Sequence, residues 1–280
     1  MQIEWTDVGI PVAIFAALGV LFGVLLAIAS RVFAVKTDER ISKVLEQLPG
    51  ANCGGCGYSG CAAFAEAVVK GEAKPNSCNS CDAAAVQQIG EILGIKVEAA
   101  VPLRAHVMCA GNCDTAVFQY RYEGAPDCIA AERLGGGNKA CPNGCIGLGT
   151  CVAACKFDAI HVVNGVATVD YQKCIGCGAC AQLCPKQIIA MIPATSRYCV
   201  ECSSAEVGAV TRKQCKVGCI GCRICEKNCP QNAIKIENSV AVIDQSKCTG
   251  CGICAEKCPR KIIRKSKWYE VKTKAEQNVL

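Results

Sequence analysis

The longest apolar feature of the chain has no polar face. Val8 to Ala29 (VGIPVAIFAALGVLFGVLLAIA) carries no charge over 22 residues. As a helix it spans about 33 Å, the thickness of a hydrocarbon core. Ala27-Ile28-Ala29 has the look of a signal-cleavage site, but Glu4 and Asp7 precede the run with no Lys or Arg. The run is also too long for the apolar part of a signal peptide, so an uncleaved anchor is the expectation. Arg31, Lys36, Arg40 and Lys43 follow it, which puts the N-terminus outside and the remainder in the cytoplasm. Period then appears. Ile41, Val44, Leu45 and Leu48 fall at i, i+3, i+4 and i+7 before Pro49-Gly50, an amphipathic helix whose stripe reads as simple packing. A second helix is predicted over AAFAEAVVKG after Cys61. Farther on, AIHVVNGVATVD and AIKIENSVAVID each give two short Val/Ile-rich strands, turning at Asn164-Gly165 and at Asn238-Ser239.

Cysteine changes the picture. The chain has 27 of them in 280 residues, while aromatics are only 5%. The odd count, the length and the many C-x2-C pairs argue against a disulfide scaffold. Reduced cytoplasmic thiols in clusters point to metal or redox sites. Short loop-rich modules stapled by metal fit this composition better than one large core.

The thiols are also repeated. Displacing the chain so that Cys145 lies on Cys219 lays Cys151, Cys155, Cys174, Cys177, Cys180 and Cys184 on Cys225, Cys229, Cys248, Cys251, Cys254 and Cys258. The same displacement sets Cys128 on Cys202 and Cys141 on Cys215, and aligns the two hairpins. Within the second copy, CIGCRICEKNCP (219–230) and CTGCGICAEKCP (248–259) both read C-x2-C-x2-C-x3-C-P. This arrangement resembles the two-cluster bacterial ferredoxin, whose fourth cysteine in each run serves the other cluster. The resemblance implies one [4Fe–4S] cluster on Cys219, Cys222, Cys225 and Cys258, and another on Cys248, Cys251, Cys254 and Cys229. In the first copy it implies a cluster on Cys174, Cys177, Cys180 and Cys155. The remaining one has Cys145, Cys151 and Cys184, because Leu148 stands where a cysteine is expected and Lys156 replaces a proline. That centre either finds a fourth ligand, with Cys141 the nearest candidate, or is a three-iron [3Fe–4S] cluster. Cys109, Cys113, Cys128, Cys199, Cys202 and Cys215 are additional candidate ligands that the spacing leaves open. Zinc is the alternative metal, but structural zinc sites use separated ligand pairs rather than a triplet with a trailing Cys-Pro. His106 and His161 read as structural residues.

Nearer the anchor, Cys53, Cys56, Cys61 and Cys78 follow C-x2-C-x4-C-x16-C, with Cys81 a rival for the last place. This resembles the small single-cluster domain found beside ferredoxin modules in membrane redox complexes. The full layout, and the stretch GCIGLGTCVAACKFDAI above all, resembles the B-type iron–sulfur component of the Rnf complex, the membrane-bound ferredoxin:NAD oxidoreductase, in its longer form. The fold expected is α+β. It comprises a transmembrane anchor (1–30), a linker helix (31–52), a single-cluster domain (53–95), a cysteine-rich connection (96–140), two ferredoxin-like modules (141–192 and 193–265) and a basic tail (266–280). The resemblance implies five or six [4Fe–4S] clusters, soluble ferredoxin as donor, and flavin-bearing membrane subunits as acceptors on the way to NAD. It further implies Na⁺ or H⁺ translocation and a place in the bacterial cytoplasmic membrane. An electron-transfer component of a different membrane reductase, or a membrane-anchored redox sensor, are the competing functions; six ligand sets in series favour conduction, since a sensor needs one.

No Rossmann fingerprint or P-loop is present, so neither NAD nor flavin is expected on this chain. The formal charge of +6 does not argue for nucleic acid. Six clusters of about −2 each would turn it to about −6. Arg260, Lys261, Arg264, Lys265, Lys267, Lys272 and Lys274 make the chain after Cys258 basic, read as a solvated stretch able to touch acidic lipid or an acidic donor.

Overall fold

A computed structural model describes residues 5–32, 38–98 and 101–268. Lys36, Lys272 and Lys274 lie outside the described residues. Helix α1 (Trp5–Val32) carries the apolar run. Its stretch Val12–Arg31 has a mean hydropathy of 2.8 and is not buried against the other described residues; it is long and apolar enough to cross a membrane.

The next unit is helical. α2 (Glu39–Gln47) starts at Asp38, whose carboxylate accepts from Arg40 N–H at 2.9 Å. Its predicted stripe is sorted by packing: Val44 and Leu48 are buried and Leu45 is exposed. They meet α3 (Cys61–Val69) and α4 (Ala83–Leu93) around Phe64 and Ile89.

The remaining chain forms two like modules. In the first, β1 (Leu103–Val107) pairs antiparallel with β4 (Ile189–Pro193), and β2 (Ile160–Val163) with β3 (Val166–Val169). In the second, β5 (Tyr198–Val200) pairs with β8 (Ile263–Lys265), and β6 (Ile234–Glu237) with β7 (Val240–Ile243). Both hairpins turn where the polar pairs predicted. Asn164 and Gly165 have φ of 48° and 75°, and Asn238 and Ser239 have 45° and 66°. Short helices punctuate the cysteine runs: α6 (Thr150–Ala153) and α7 (Ala179–Gln182) in the first module, α9 (Ile224–Lys227) and α10 (Ile253–Lys257) in the second. Two longer ones, α5 (Cys128–Gly135) and α8 (Gly208–Gln214), precede them.

Two expectations change here. The stretch 96–140 is no mere connection, since it supplies β1 and α5 to the first module. The repeat alignment also slips upstream of Cys141. Val107 faces Ile189 and Val200 faces Ile263, while Met108 N–H donates to Ile188 O and Glu201 N–H to Ile262 O. Structurally, then, Cys202 corresponds to Cys109, not to Cys128. The first module has extra chain containing α5 between its first strand and Cys141, and a gapless displacement cannot register an insertion.

The units touch. Ser80 Oγ donates to Ile175 O at 3.3 Å, and Arg104 Nη1 to the same oxygen at 3.2 Å. Trp268, at the end of the second module, stands edge-on to Tyr171 of the first (centroids 4.8 Å apart) with Arg104 over its ring. Nor is the basic stretch simply solvated. Arg260 donates to Cys215 O at 2.7 Å and Arg264 pairs with Glu201 at 3.1 Å.

Candidate metal centres

All 27 cysteines are free thiols. Tight turns and one-turn helices bring them together in groups. Cys174, Cys177 and Cys180 surround the start of α7, and Cys155 joins them from the end of α6. Burial pushes the Cys180 thiol up to about 11, and the sulfurs of Cys174, Cys177 and Cys155 add to that. In the second module burial raises Cys225 to about 12, with Cys219, Cys222 and Cys258 beside it. It raises Cys254 to about 11, with Cys248, Cys251 and Cys229 beside it. Cys229, Cys248, Cys251 and Cys254 line one cavity of about 360 Å³. The fourth member of each group comes from the other cysteine run.

The incomplete set of the first module gains its fourth sulfur from an unexpected place. Cys128, Cys145, Cys151 and Cys184 line a cavity of about 340 Å³. Burial pushes Cys151 up to about 12, followed by the influence of Cys145, Cys128, Cys180 and Cys184. Cys128 is the first residue of α5. Asp127 caps that helix, accepting from Ile129 and Ala130 N–H, and also accepts from Thr150 Oγ at 2.7 Å. Thr150 Oγ in turn accepts from Cys128 N–H at 2.7 Å. This pair of bonds pins the start of α5 to the start of α6 and aims Cys128 at the set. Leu148, in the missing cysteine's place, packs against the small cluster of Cys128, Ala131 and Ile146. Cys141, the nearest candidate in sequence, is elsewhere: it lines a different cavity with Cys109, Cys202 and Cys215. Sequence reasoning held Cys128 only among the additional candidates and put Cys141 first for this set; the signal for Cys128 was a cysteine just inside an Asp-capped helix.

In the helical unit, Asn52 Oδ1 accepts from Cys61 N–H at 2.8 Å and so draws the Cys53–Cys56 loop onto α3. Cys78 lies on Cys81, and the hydrogen bond from the Cys81 thiol holds Cys78 down at about 6. The bond to Cys78, and then burial, push the Cys81 thiol up, with Asp82 and Cys61 adding less. The loop reaches the first module, where Cys53 is near enough to Cys177 to raise it, after burial, which is the larger cause. Contact there is close enough that a Cβ on Gly55 would stand 2.4 Å from Cys177 O.

Of the other thiols, Cys199 is buried in β5, pushed up to about 11 by burial, with Ser266 as hydrogen-bond partner. Cys113 is exposed beside the β2–β3 turn. His106 is buried, its Nε2 3.3 Å from Val200 O, and burial pushes its pKa down. His161 is exposed near Asp158.

These groups suit iron–sulfur clusters. Burial together makes four thiolates costly without a cation among them, and iron supplies that charge. Backbone N–H groups point at sulfur: Ala167 to Cys145 at 3.4 Å, Ala159 to Cys155 at 3.4 Å, and Ala233 to Cys229 at 3.3 Å. Among the described residues, no three His, Cys, Asp or Glu close on a single point as one metal ion requires. A tetrahedral zinc would draw its sulfurs to about 3.8 Å from one another; a cubane holds them wider apart.

Known proteins agree with this layout. Residues 48–80 match the Fe-S cluster family, and residues 144–189 and 218–262 match 4Fe-4S dicluster domain families. The chain is 44% identical over 239 residues to the B subunit of the Na(+)-translocating ferredoxin:NAD(+) oxidoreductase complex of Acetobacterium woodii, covering 85% of this chain and 72% of that one. It is 43% identical over 235 residues to the B subunit of the proton-translocating ferredoxin:NAD(+) oxidoreductase complex of Clostridium ljungdahlii, covering 83% of each. To the B subunit of the ion-translocating oxidoreductase complex of Methanosarcina acetivorans it is 42% identical, covering 84% of this chain and 90% of the relative.

Proposed function

We propose, from the premise that the chain belongs to the B-subunit family of ion-translocating ferredoxin:NAD(+) oxidoreductase (Rnf) complexes, that it is the electron-conducting iron–sulfur component of such a complex. Soluble reduced ferredoxin is its donor, and flavin-bearing membrane subunits receive the electrons on their way to NAD, driving Na⁺ or H⁺ across the membrane. The ligand sets are Cys53, Cys56, Cys61 and Cys78; Cys155, Cys174, Cys177 and Cys180; Cys128, Cys145, Cys151 and Cys184; Cys219, Cys222, Cys225 and Cys258; and Cys229, Cys248, Cys251 and Cys254. When bound, each cluster takes up and releases one electron. The chain's own part is to hold the sulfurs together as ligands, to aim N–H groups at them, and to exclude water.

The observation that carries this reading is continuity. The Cys53–Cys56 loop docks on Cys177 through Gly55, and Cys180 and Cys151 share one buried cluster, so three sets follow one another from the anchored end into the first module. α1 is a single-pass anchor, with the N-terminus outside and the cysteine-bearing domains in the cytoplasm; Arg31, Arg40 and Lys43 on its inner side support that orientation. The helical unit, tethered just after the anchor, faces the membrane partners and is the exit. The second module reaches farthest along the chain and meets ferredoxin.

Cys56→Ala in the whole complex tests this. With assembly verified first, ferredoxin should still reduce the distal centres while NAD reduction stops. Normal NAD reduction would sink the exit assignment, and failure of ferredoxin to reduce any centre would reverse the direction. Removal of residues 1–30 should release a brown soluble protein from the membrane; a truncated form that remains integral would disprove the single anchor.

A further inference from the structure

Cys109, Cys141, Cys202 and Cys215 belong to none of those five sets, yet they line one cavity of about 390 Å³. The two cavities lined by other cysteine quartets measure about 340 and 360 Å³. Like them, this one presents four sulfurs.

The quartet is built from two equivalent halves. Cys109 follows β1 in Val107-Met108-Cys109, and Cys202 follows β5 in Val200-Glu201-Cys202. Cys145 N–H points at Cys109 Sγ at 3.4 Å, and Cys219 N–H points at Cys202 Sγ at 3.3 Å. Cys141 and Cys215 occupy the same place in CPNGC and CKVGC, just ahead of Cys145 and Cys219. Each module therefore offers one matching pair, and the pairs face each other across the boundary. Backbone bonds hold that boundary shut: Ala110 N–H to Glu201 O at 3.0 Å, Val117 N–H to Gln214 O at 2.9 Å, and Lys216 N–H to Thr115 O at 2.7 Å. Arg260 fastens Cys215 O from behind.

Two further residues leave the space clear and set a positive charge at its wall. A Cβ on Gly111 would stand 3.3 Å from Cys215 Sγ and 3.8 Å from Cys109 Sγ, so the chain has no side chain where sulfurs of the two modules converge. Lys139 lines the cavity and is 5% exposed. Its ammonium donates to Gly111 O at 2.7 Å and Gly165 O at 2.8 Å, which fixes a buried positive charge beside four thiols. A buried cation is costly unless negative charge lies close.

We infer that Cys109, Cys141, Cys202 and Cys215 hold a sixth [4Fe–4S] cluster, shared between the two modules and joining their two rows of clusters into one. The inference rests on the electron-conducting function above. It gives Cys141 and Cys215 a role that a complete ferredoxin set leaves vacant. It also accounts for the N–H contacts by which a ligand residue of each flanking set, Cys145 and Cys219, touches a junction sulfur.

The test is iron content with EPR-monitored redox titration of the anaerobically purified full chain within its complex. Wild type should carry about 24 iron per chain, and Cys141→Ala/Cys215→Ala about 20, with one EPR component lost and the others kept. Cys113→Ala, at the exposed neighbouring thiol, should keep all of it. About 20 iron in the wild type would overturn the sixth site without any variant. So would a double variant that retains the wild-type iron and spectrum. A wild-type chain with no iron–sulfur spectrum would instead sink the function on which the site depends, so the two failures are distinguishable.

Discussion

On the proposed ligand sets, the two ferredoxin-like modules are one fold with a ligand moved. In the second, Cys222 lies in the loop between Cys219 and Cys225, is exposed, and completes its set locally. In the first, Leu148 takes that place and packs inward, while the sulfur arrives from α5, well upstream. The cations that follow the two Cys-Pro pairs show the same divergence. Lys186 holds α5 through Glu132 at 2.6 Å and Gly136 O at 2.8 Å. Arg260, its counterpart, holds Gly218 O and Cys215 O. A cubane needs four sulfurs at its corners and is indifferent to their place in the chain. The first module therefore keeps the site while freeing a loop, and its inserted helix ties the site to the rest of the module.

The largest effect should come from breaking that difference at its source. Cys128→Ala should convert the Cys145/Cys151/Cys184 centre to a three-iron EPR signature or empty it, whereas Leu148→Cys should leave the spectrum as it was. An unchanged spectrum in Cys128→Ala, or a changed one in Leu148→Cys, would restore the three-ligand account. The reciprocal graft should do comparable damage: Cys222→Leu should cost the second module one cluster, because no cysteine of α8 stands ready to replace it. Full iron content in that variant would show a spare ligand in the second module as well.

A smaller change is expected at the junction that only the first module makes. Gly55→Ala would press a methyl against Cys177 O, so the helical unit should shift from its dock. Iron content should hold while reduction of the Cys53/Cys56/Cys61/Cys78 centre from the distal end slows. An unaltered rate in stopped-flow would mean that the dock contributes nothing to conduction. Thr150→Val removes the hydroxyl that pins α5, at about 1 kcal/mol for a lost hydrogen bond. It should speed chelator extraction of iron from the first module alone. The smallest effect belongs to the hairpins. Ser239 holds φ 66° where the first module has Gly165, so Ser239→Gly should stabilise the second module, by no more than about 1–2 kcal/mol. Thermal unfolding would record it, and a loss of stability would contradict the turn assignment.

Much of this was legible in the chain itself. The anchor follows from an uninterrupted apolar run, and the hairpins from Val/Ile alternation about Asn-Gly and Asn-Ser. The triplets follow from C-x2-C-x2-C, since a loop that short has few ways to present three sulfurs other than around one centre. Even the missing ligand at Leu148 was visible as a gap. The nearest cysteine, Cys141, was the natural candidate to fill it, because sequence offers only proximity along the chain as a guide.

Tertiary structure decided the rest. An antiparallel pairing of Leu103–Val107 with Ile189–Pro193 made part of an expected connection into a module strand. It also showed that Cys202 answers to Cys109. The capped start of α5 carried Cys128 to a set more than one element away, and the pairing of 110–117 with 201–216 closed Cys109, Cys141, Cys202 and Cys215 around one cavity. Local spacing determines which sulfurs a single loop can gather, because the peptide backbone restricts a few residues to a few shapes. The fourth sulfur and the joints between sets come from segments far apart in sequence. Only the packing of whole elements brings those segments together, and no period along the chain records it.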